Sequence, residues 1–268
     1  MRDVAERAAR AAGKVLRRSR AHDVRHKGAI DLVTEVDLAA EEAVRAVLER
    51  EAPGIPILAE EGGGDLGGTC WIVDPLDGTT NFVHGFPAFS VSVALQEGER
   101  LEAGCVYDPV HDVAYTARRG AGASANGEPI RVSPTGALSD ALLITGFPYD
   151  SLDRAPFYLA FFEAFLRRSQ GVRRTGSAAL DLALVASGRA DGFWEFRLHA
   201  WDVAAGALLV AEAGGLATGT DGGPLVLDAG RIVASNGLLH GALLEVIGRV
   251  YAGLPARSPA GAETWEPP

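Results

Sequence analysis

The sequence has little of what disulfide-stabilised or membrane proteins require. Its two cysteines, Cys70 and Cys105, are too few for a disulfide framework or a thiolate metal site, so both are predicted to be small buried residues. No apolar run approaches the roughly 20 residues of a transmembrane helix, and the charged stretch 1–20 lacks the apolar core of a secretory signal. We therefore expect a cytoplasmic protein that has no membrane partner.

Basic residues are also in short supply. The 25 lysines and arginines are outnumbered by 35 aspartates and glutamates, which leaves a formal net charge of −10 at pH 7. Such a charge argues against nucleic-acid binding, because that binding depends on neutralising phosphates. The same charge would repel a phosphorylated substrate unless the acidic residues surround bound cations, whose charge then dominates the local field.

Enough apolar residues are present for a substantial core. Of the 268 residues, 47% are hydrophobic, which is compatible with one large domain or two small ones. We expect a single domain over residues 1–253, with an N-terminal half of about 1–145 and a C-terminal half of about 146–253. The Pro- and Ala-rich end, residues 254–268, is expected to be a flexible tail.

Helical and strand patterns follow one another without a regular alternation. Helices are predicted near 3–19, 38–51, 154–168, 178–187, 201–214 and 236–251. Strands are predicted near 56–59, 71–74, 89–96, 101–107, 112–117, 190–196 and 232–234. Because the βαβ alternation of a parallel sheet is missing, the pattern favours a layered α+β architecture.

The segment Trp71–Phe82 carries two aspartates at the end of an apolar strand. Asp74 is predicted to end the strand, Pro75 to fix the turn and Asp77 to follow, so that both carboxylates can point to one place. Hard oxygen ligands of this kind suit Mg²⁺. Gly78-Thr79-Thr80 would then begin a helix whose free N–H groups favour an anion beside the metal. The alternative is that Asp-Pro and Asp-Gly form ordinary turns, or that Asp77 caps the helix.

Three further acidic segments have both a structural and a chemical interpretation. Glu60-Glu61 could belong to a metal site or to a solvated surface, and the glycines of Gly62–Gly68 predict a mobile loop beside it. Asp37 could act in catalysis or form the N-cap of the helix that follows it. Asp202 has the same alternative before its own helix. Individually, none of these residues decides between the two interpretations.

Taken together and in order, these motifs carry a family resemblance. The sequence resembles the inositol monophosphatase family of lithium-sensitive, metal-dependent phosphatases over about residues 3–252. The resemblance rests on the strings Asp31–Asp37, Glu60-Glu61, Trp71–Pro87 and Trp201–Gly215, of which the stretch from Asp74 to Phe82 is highly specific. It implies the layered α/β sandwich of the sugar phosphatases, with alternating helix and sheet layers, and a phosphoric monoester hydrolase.

The resemblance also implies a site for two or three Mg²⁺ ions. Glu60, Asp74 and the backbone carbonyl of Leu76 would hold the first ion. Asp74, Asp77 and Asp202 would hold the second, so that Asp74 bridges the two. The chemistry agrees with this, because two ions about 3.5–4 Å apart stabilise the attacking and the leaving oxygen of a phosphoryl group together.

Asp37, Thr79 and Glu60 are the catalytic residues that the resemblance implies. Thr79, polarised by Asp37, would orient a metal-bound water for in-line attack on phosphorus. The N–H groups of Gly78 and Thr79 would cradle the phosphate, and Asp77 would also contact the substrate. Because water is the nucleophile, no side chain need become phosphorylated.

The expected substrate class rests on two positions. Glu195 lies seven residues before Asp202, where the family carries a glutamate that binds a sugar hydroxyl; the alternative is a surface glutamate at a strand end. Ala178 lies where the family contacts the ring through its backbone. Both favour a small phosphorylated polyol, with inositol monophosphate first and histidinol phosphate, fructose bisphosphate or a nucleotide 3′-phosphate as alternatives. A bisphosphate would require a basic cluster, for which Arg173-Arg174 and Arg197 are available.

Two further expectations concern partners and function. The family usually forms homodimers, and the apolar residues in 156–165 exceed what one helix face needs, although burial in the core explains them nearly as well. A regulatory binding protein on the same fold is the alternative to an enzyme. All five acidic residues of the expected metal and catalytic site are present, and pure binding does not need them, so an enzyme is favoured.

Overall fold

A computed structural model gives the fold of residues 1–19, 24–26, 32–148 and 150–253. The predicted tail over 254–268 and Asp31 of the first acidic motif lie outside these described residues. Within the described ranges, no helix combines the length and the apolar character needed to cross a bilayer.

Helices and strands occur in a mixed order along the chain. The helices are α1 Arg2–Arg18, α2 Glu35–Glu51, α3 Thr79–His84, α4 Ser151–Leu166, α5 Ala178–Ala186, α6 Ala200–Glu212 and α7 His240–Gly253. The strands are β1 Val24–His26, β2 Leu32–Thr34, β3 Ile57–Ala59, β4 Thr69–Asp77, β5 Ser90–Glu97, β6 Arg100–Asp108, β7 Val113–Arg118, β8 Ala123–Ala125, β9 Glu128–Pro129, β10 Leu142–Thr145, β11 Gly171–Arg174, β12 Gly192–Phe196, β13 Leu216–Thr218 and β14 Arg231–Ser235.

The larger sheet has seven strands in the order β3-β4-β5-β6-β7-β8-β9. β3 runs parallel to β4, and the other neighbours are antiparallel. Because side chains alternate between the two faces of a strand, Trp71 and Val73 of β4 pack with α1 and α2, whereas Cys70 and Ile72 pack with α5 and α6. Burial on both faces explains why β4 is an almost unbroken apolar run.

The smaller sheet has five strands in the order β11-β10-β12-β14-β13. β10 is parallel to both β11 and β12, so the carboxyl ends of these three strands meet at one edge. Ile144 and Phe193 pack with α5 and α6, whereas Leu143 and Trp194 pack on the opposite face with α4 and α7. The helices α5 and α6 therefore lie between the two sheets, which explains why both are apolar on nearly every side.

The layers follow in the order α1 and α2, large sheet, α5 and α6, small sheet, α4 and α7. This arrangement confirms the predicted α+β fold with alternating helix and sheet layers. The sequence pattern predicts neither β10 nor β11, because each has only four residues and lacks a distinct alternation. β10 lies just before the expected boundary near residue 145 and pairs with strands of the C-terminal half.

The predicted start of α2 is wrong by three residues. The helix begins at Glu35 rather than Leu38, because Thr34 is the N-cap and its hydroxyl accepts the N–H of Val36. Asp37 is therefore not the N-cap that the structural interpretation required. It is the third helical residue, and its carboxylate accepts the N–H of Thr34 at 2.8 Å in a capping box.

The predicted start of the last helix is also wrong. α7 begins at His240, four residues after Asn236. The side-chain oxygen of Asn236 does accept a backbone N–H, but that N–H belongs to Leu239 in the turn that precedes the helix. A residue that favours caps thus stabilises a turn instead, as short polar side chains commonly do.

Candidate active site

A cleft of about 770 Å³ opens between the end of β4, the start of α3, the carboxyl ends of β10 to β12 and the start of α6. Most of the residues that the sequence predicts for the site line this cleft: Glu60, Asp74, Leu76, Asp77, Gly78, Thr79, Ala178, Glu195 and Asp202. Asp37 lies behind the wall and reaches the cleft through a hydrogen bond from Thr79.

The end of β4 brings two aspartates to one side of the sheet. The strand does not stop at Asp74, as the sequence predicts, but continues through Pro75 to Asp77. On the neighbouring strand β5, Ser92 pairs with Asp74 and Ser90 pairs with Asp77. An advance of three residues along β4 therefore matches an advance of only two residues along β5. The extra residue is a β-bulge, which also tolerates the missing N–H of Pro75. Residues three apart on a regular strand face opposite ways, and the bulge therefore explains why both carboxylates reach the cleft.

Three carboxylates form a tight cluster. Oxygens of Asp74, Asp77 and Asp202 lie within 4.8 Å of one another. Loss of solvent raises the pKa of Asp74 and Asp202 well above the ordinary aspartate value, and the neighbouring carboxylates raise both further. Although Asp202 is partly open to the cleft, the protein atoms around its carboxyl exclude enough solvent to raise its pKa. Burial also raises the pKa of Asp77.

Within the cluster, the protein holds one oxygen of Asp74 and one of Asp202. Asp74 Oδ1 accepts the N–H of Leu76 at 2.9 Å, and Asp202 Oδ2 accepts the N–H of His199 at 2.6 Å. Asp202 is the third residue of α6, so the alternative that it is an N-cap is wrong. In the described part of the chain, no lysine or arginine forms an ion pair with the cluster. Enclosed negative charge without a basic partner fits a divalent cation.

Asp77 is fixed by residues that the sequence interpretation missed. Its Oδ2 accepts the hydroxyl of Ser177 at 2.6 Å and the N–H of Ala179 at 2.8 Å. Ser90 donates to the same oxygen at 3.3 Å. Both serines are buried in the layer interior, and this burial, rather than any local motif, gives them their role.

Glu60 lies beside the carboxylate cluster rather than within it. It follows β3 in a turn, is partly buried and lines the cleft. The group of oxygens within 4.8 Å of one another does not include it. Its charge nevertheless raises the pKa of Asp74 and of Asp202, so it faces the same space.

Asp37 and Thr79 form a buried pair. Thr79 Oγ1 lies 3.0 Å from Asp37 Oδ1 and 3.2 Å from the carbonyl oxygen of Leu76, and it can donate to either. Asp37 Oδ2 accepts the N–H and the hydroxyl of Thr34, at 2.8 and 2.6 Å. Both oxygens of Asp37 are therefore engaged, and α2 fixes the orientation of the Thr79 hydroxyl.

The start of α3 is held tightly between both halves of the chain. Gly78 has a φ of +99°, and an added Cβ would lie 3.1 Å from the carbonyl oxygens of Ala88 and Gly176. Only glycine combines this conformation with this contact. Asn81, which the sequence interpretation did not single out, donates to the carbonyls of Ala88 and Thr175, at 2.5 and 2.9 Å.

Glu195 lies in β12 at the far end of the cleft. It is 7% exposed, so the alternative of a surface glutamate is wrong. Burial raises the pKa of its carboxyl well above the ordinary value, and the charge of Asp181 raises it further. The carboxyl packs on the backbone of Gly146, where an added Cβ would lie 2.1 Å from Glu195 Oε1. Ala178, the first residue of α5, lines the same cleft.

Two of the arginines available for a second phosphate reach the cleft. Arg174 and Arg197 line it, whereas Arg173 does not. Arg197 has a left-handed backbone, with a φ of +56°, and its Nε lies 3.2 Å from Asp150 Oδ2. Asp150 and Asp153 line the same wall. The positive charge there is matched by negative charge, so the described lining has no net basic cluster.

The order of layers and the acidic cleft define the class, an α+β fold of alternating helix and sheet layers with a candidate metal centre. The profile of the inositol monophosphatase family matches residues 1–251, and the chain belongs to that family. The Nus factor SuhB of Pseudomonas aeruginosa is 47% identical over 258 residues, which cover 92% of this chain and 95% of that protein.

Two further comparisons bear the name of the family. The inositol-1-monophosphatase of Rhizobium meliloti is 47% identical over 226 residues, covering 83% of this chain and 85% of that protein. The solved structure of inositol monophosphatase from Anabaena (Nostoc) has a TM-score of 0.84 and 43% identity, and it covers 92% of this chain and 95% of that one. The predicted family and its fold are thus confirmed.

Proposed function

We propose that the protein is a Mg²⁺-dependent phosphatase that hydrolyses a small phosphate monoester, with inositol monophosphate as its leading substrate. The observation that carries this proposal is the cluster of Asp74, Asp77 and Asp202, whose oxygens lie within 4.8 Å of one another. Carboxylates that raise one another's pKa in an enclosed site favour a bound divalent cation. Membership of the inositol monophosphatase family supports the same activity.

The residues that would hold the cations follow from this fit and from the family resemblance. Glu60, Asp74 and the carbonyl of Leu76 would hold one Mg²⁺, and Asp74, Asp77 and Asp202 a second. When bound, Mg²⁺ would neutralise charge on the phosphoryl group and lower the pKa of the attacking water. Because Asp74 would serve both ions, it is the ligand on which the site would depend most.

Orientation of the attacking water would come from Thr79. Its hydroxyl has one hydrogen and two possible acceptors, Asp37 Oδ1 at 3.0 Å and the Leu76 carbonyl at 3.2 Å. If that carbonyl is used as a ligand, Asp37 is the remaining acceptor, and the Thr79 oxygen keeps its lone pairs for a hydrogen of the water. The N–H groups of Gly78 and Thr79, at the start of α3, would bind the phosphate oxygens.

Glu195 supports a hydroxylated substrate. Its carboxyl is almost wholly enclosed, faces the cleft and has no protein hydrogen-bond partner in the described part of the chain. Because the carboxyl faces the cleft, its oxygens are placed to accept hydrogen bonds from the hydroxyls of a substrate. The pairing of Arg197 with Asp150 disfavours a second phosphate. A monophosphorylated polyol therefore fits better than a bisphosphate, and histidinol or sugar phosphates are the second choice.

A second copy of the chain would cover one face of α4. Leu159 and Leu166, seven residues apart on α4, are 52% and 51% exposed, whereas Phe161 and Phe165 of the same helix are fully buried. The predicted apolar segment thus serves both the core and a surface. Two exposed leucines on one face of this helix support the homodimer that the family resemblance implies.

The name Nus factor, which several relatives carry, supports a second candidate role as a regulatory binding protein on the same fold. A purely binding protein would not need three carboxylates held together against their mutual repulsion. The net charge of −10 also disfavours direct contact with nucleic-acid phosphates. The phosphatase therefore remains the first proposal.

A substrate panel in Mg²⁺ tests the proposed function. We expect kcat/KM to be highest for inositol 1-phosphate among inositol phosphates, histidinol phosphate, fructose 1,6-bisphosphate and adenosine 3′,5′-bisphosphate. Asp74→Asn should nearly abolish turnover of every ester, whereas Asp228→Asn, the same change at an exposed position, should have no effect. Near wild-type turnover by Asp74→Asn at saturating Mg²⁺ would refute the metal assignment. A wild-type protein inactive on the whole panel would favour the binding role.

A further inference from the structure

Glu41 is a buried carboxylate that the proposed chemistry does not use. It lies in the middle of α2 and is 6% exposed, and its neighbours Ala40 and Val44 are fully buried in the core. It is not among the described residues that line the cleft. Burying a charge at such a position is costly unless the charge is paired and hydrogen-bonded. The partners of Glu41 therefore indicate what the residue does.

Both oxygens of Glu41 have partners. Oε1 accepts the Nε–H of Arg45, one turn later on α2, at 2.7 Å. Oε2 accepts two consecutive backbone N–H groups, those of Glu61 at 3.2 Å and Gly62 at 3.1 Å. Hydrogen bonds to an ionised acceptor are roughly twice as strong as neutral ones. One end of the carboxylate is thus tied to its own helix, and the other end holds a distant turn.

The turn that Glu41 holds is the one that carries Glu60. Gly63 and Ala59 exchange backbone hydrogen bonds of 2.9 and 3.0 Å, which close the turn on itself. The N–H of Glu60 donates to the carbonyl of Val73 on β4 at 3.2 Å. The N–H groups of Glu61 and Gly62, which lie between Glu60 and Gly63, are the two that donate to Glu41. Through Glu41, α2 therefore supports the tip of the turn.

The turn packs closely against the ion pair of Glu41 and Arg45. A Cβ added at Gly62 would lie 2.3 Å from Glu41 Oε1 and 2.3 Å from Arg45 Nη2. Gly62 does not have a positive φ, so glycine permits the close approach of these two side chains rather than an unusual backbone conformation. The sequence predicts a mobile loop from these glycines, but at its first residue glycine permits a tight contact.

Asp37, Glu41 and Arg45 follow one another at intervals of four and share one face of α2. Asp37 fixes the hydroxyl of Thr79, and Glu41, one turn later, fixes the turn of Glu60. One rigid helix therefore supports two parts of the site that belong to separate segments of the chain. A carboxylate that lies on a turn needs such support more than one that lies on a strand or helix.

We propose that Glu41 is a positioning residue for the metal site: it holds the Glu60 carboxylate in place against the cluster of Asp74, Asp77 and Asp202, and so sets the affinity for the divalent cation that Glu60 helps to bind. The inference rests on the proposed function, because it requires Glu60 to be a metal ligand. It adds a residue outside the cleft to the group that determines Mg²⁺ affinity, as supporting contacts commonly do.

Mg²⁺ binding to the substrate-free protein, measured by isothermal titration calorimetry, tests the inference. Glu41→Gln keeps the size of the side chain but removes the charge that binds Arg45 and the turn. We expect Mg²⁺ affinity to fall about 10- to 100-fold, the range typical of lost supporting contacts at metal sites, and kcat to recover at saturating Mg²⁺. Glu42→Gln, the same change at the exposed neighbour, is the matched control and should bind Mg²⁺ like the wild type.

Two further variants keep the test decisive if Glu41→Gln folds poorly or weakens Mg²⁺ binding by a route other than Glu60. Gly62→Ala leaves the charge of Glu41 intact but displaces its Oε1 and the Arg45 guanidinium from the turn, and it should weaken Mg²⁺ binding in the same way. In a Glu60→Gln background, Glu41→Gln should add little, because both changes act through one ligand. Equal losses in both backgrounds, or no loss in either, would overturn the inference. If Glu60→Gln alone leaves Mg²⁺ binding unchanged, the metal assignment of Glu60 fails first and the inference fails with it.

Discussion

Replacing Gly146 by alanine should separate recognition of the polyol from the phosphate chemistry. A Cβ at this position would lie 2.1 Å from Oε1 of Glu195 and 2.3 Å from its carboxyl carbon. Gly146 does not have a positive φ, so alanine is able to adopt the same backbone conformation and the clash with the carboxyl is the main consequence. The Glu195 carboxyl must then leave the position from which it faces the cleft.

The expected magnitude is that of one hydrogen bond to a substrate hydroxyl. Such a bond contributes about 0.5–1.5 kcal/mol when both groups are neutral and about 1.5–3 kcal/mol when one is charged. At about 1.4 kcal/mol for each factor of ten, kcat/KM for inositol 1-phosphate should fall roughly 2- to 150-fold. Hydrolysis of p-nitrophenyl phosphate should change little, because that ester offers no hydroxyl to Glu195.

Steady-state hydrolysis of the two esters by wild type, Gly146→Ala and Gly241→Ala is the assay. Gly241 is the matched control, because no described atom lies within 4 Å of a Cβ added there and alanine suits its place in α7. Equal losses on both esters would show that the substitution damages the phosphate site or the fold. No loss on either ester would refute the role of Glu195 as a polyol contact.

Thr79→Ala should lower kcat while substrate still binds, because only the hydroxyl is lost and the N–H remains; a raised KM at unchanged kcat would contradict this reasoning. Leu159→Glu should convert dimers to monomers in sedimentation velocity, whereas Val110→Glu, at an exposed apolar residue between β6 and β7, should not; a monomeric wild type at micromolar concentration would refute the dimer. Burial lowers the pKa of His240, so the unfolded chain binds its proton at a higher pH than the folded one does. The contribution of His240 to the free energy of unfolding should therefore fall as the pH decreases through about 6.5. Denaturant titrations at about pH 7.5 and about pH 5.5 give the loss of unfolding free energy that acid causes. This loss should be smaller in His240→Gln than in the wild type, and an equal loss in both would contradict the assignment.

The sequence was a better guide to which acidic residues cluster than to the backbone geometry that brings them together. A strand end followed by a turn at Pro75 predicts that Asp74 and Asp77 can point to one place, and the structure brings them together with Asp202. The predicted means, a strand that ends at Asp74, is wrong. The bulge arises from pairing with β5, and no pattern within β4 specifies the register of a partner strand.

Residues that act through distant partners were the least predictable. Glu41 resembles any charged residue on a helix, and its partners Glu61 and Gly62 come 20 and 21 positions later. Ser177 acquires its role because the start of α5 packs against Asp77, 100 positions earlier in the chain. Local periodicity predicts the helices and most of the strands, but contacts of this kind depend on the packing of whole layers.

The carboxylate cluster also links the folded population of the protein to its ionic surroundings. Without a cation, Asp74 and Asp202 bring their charges together only in the folded chain, and this repulsion favours unfolding. A cation that binds only the folded chain adds about 2.7 kcal/mol of stability at a concentration 100 times its Kd. The free Mg²⁺ concentration would thus set the folded fraction as well as the rate. Asp74→Asn should then make the metal-free protein more resistant to heat while it removes turnover. Stability and the proposed catalysis would thus place opposite demands on the same side chain.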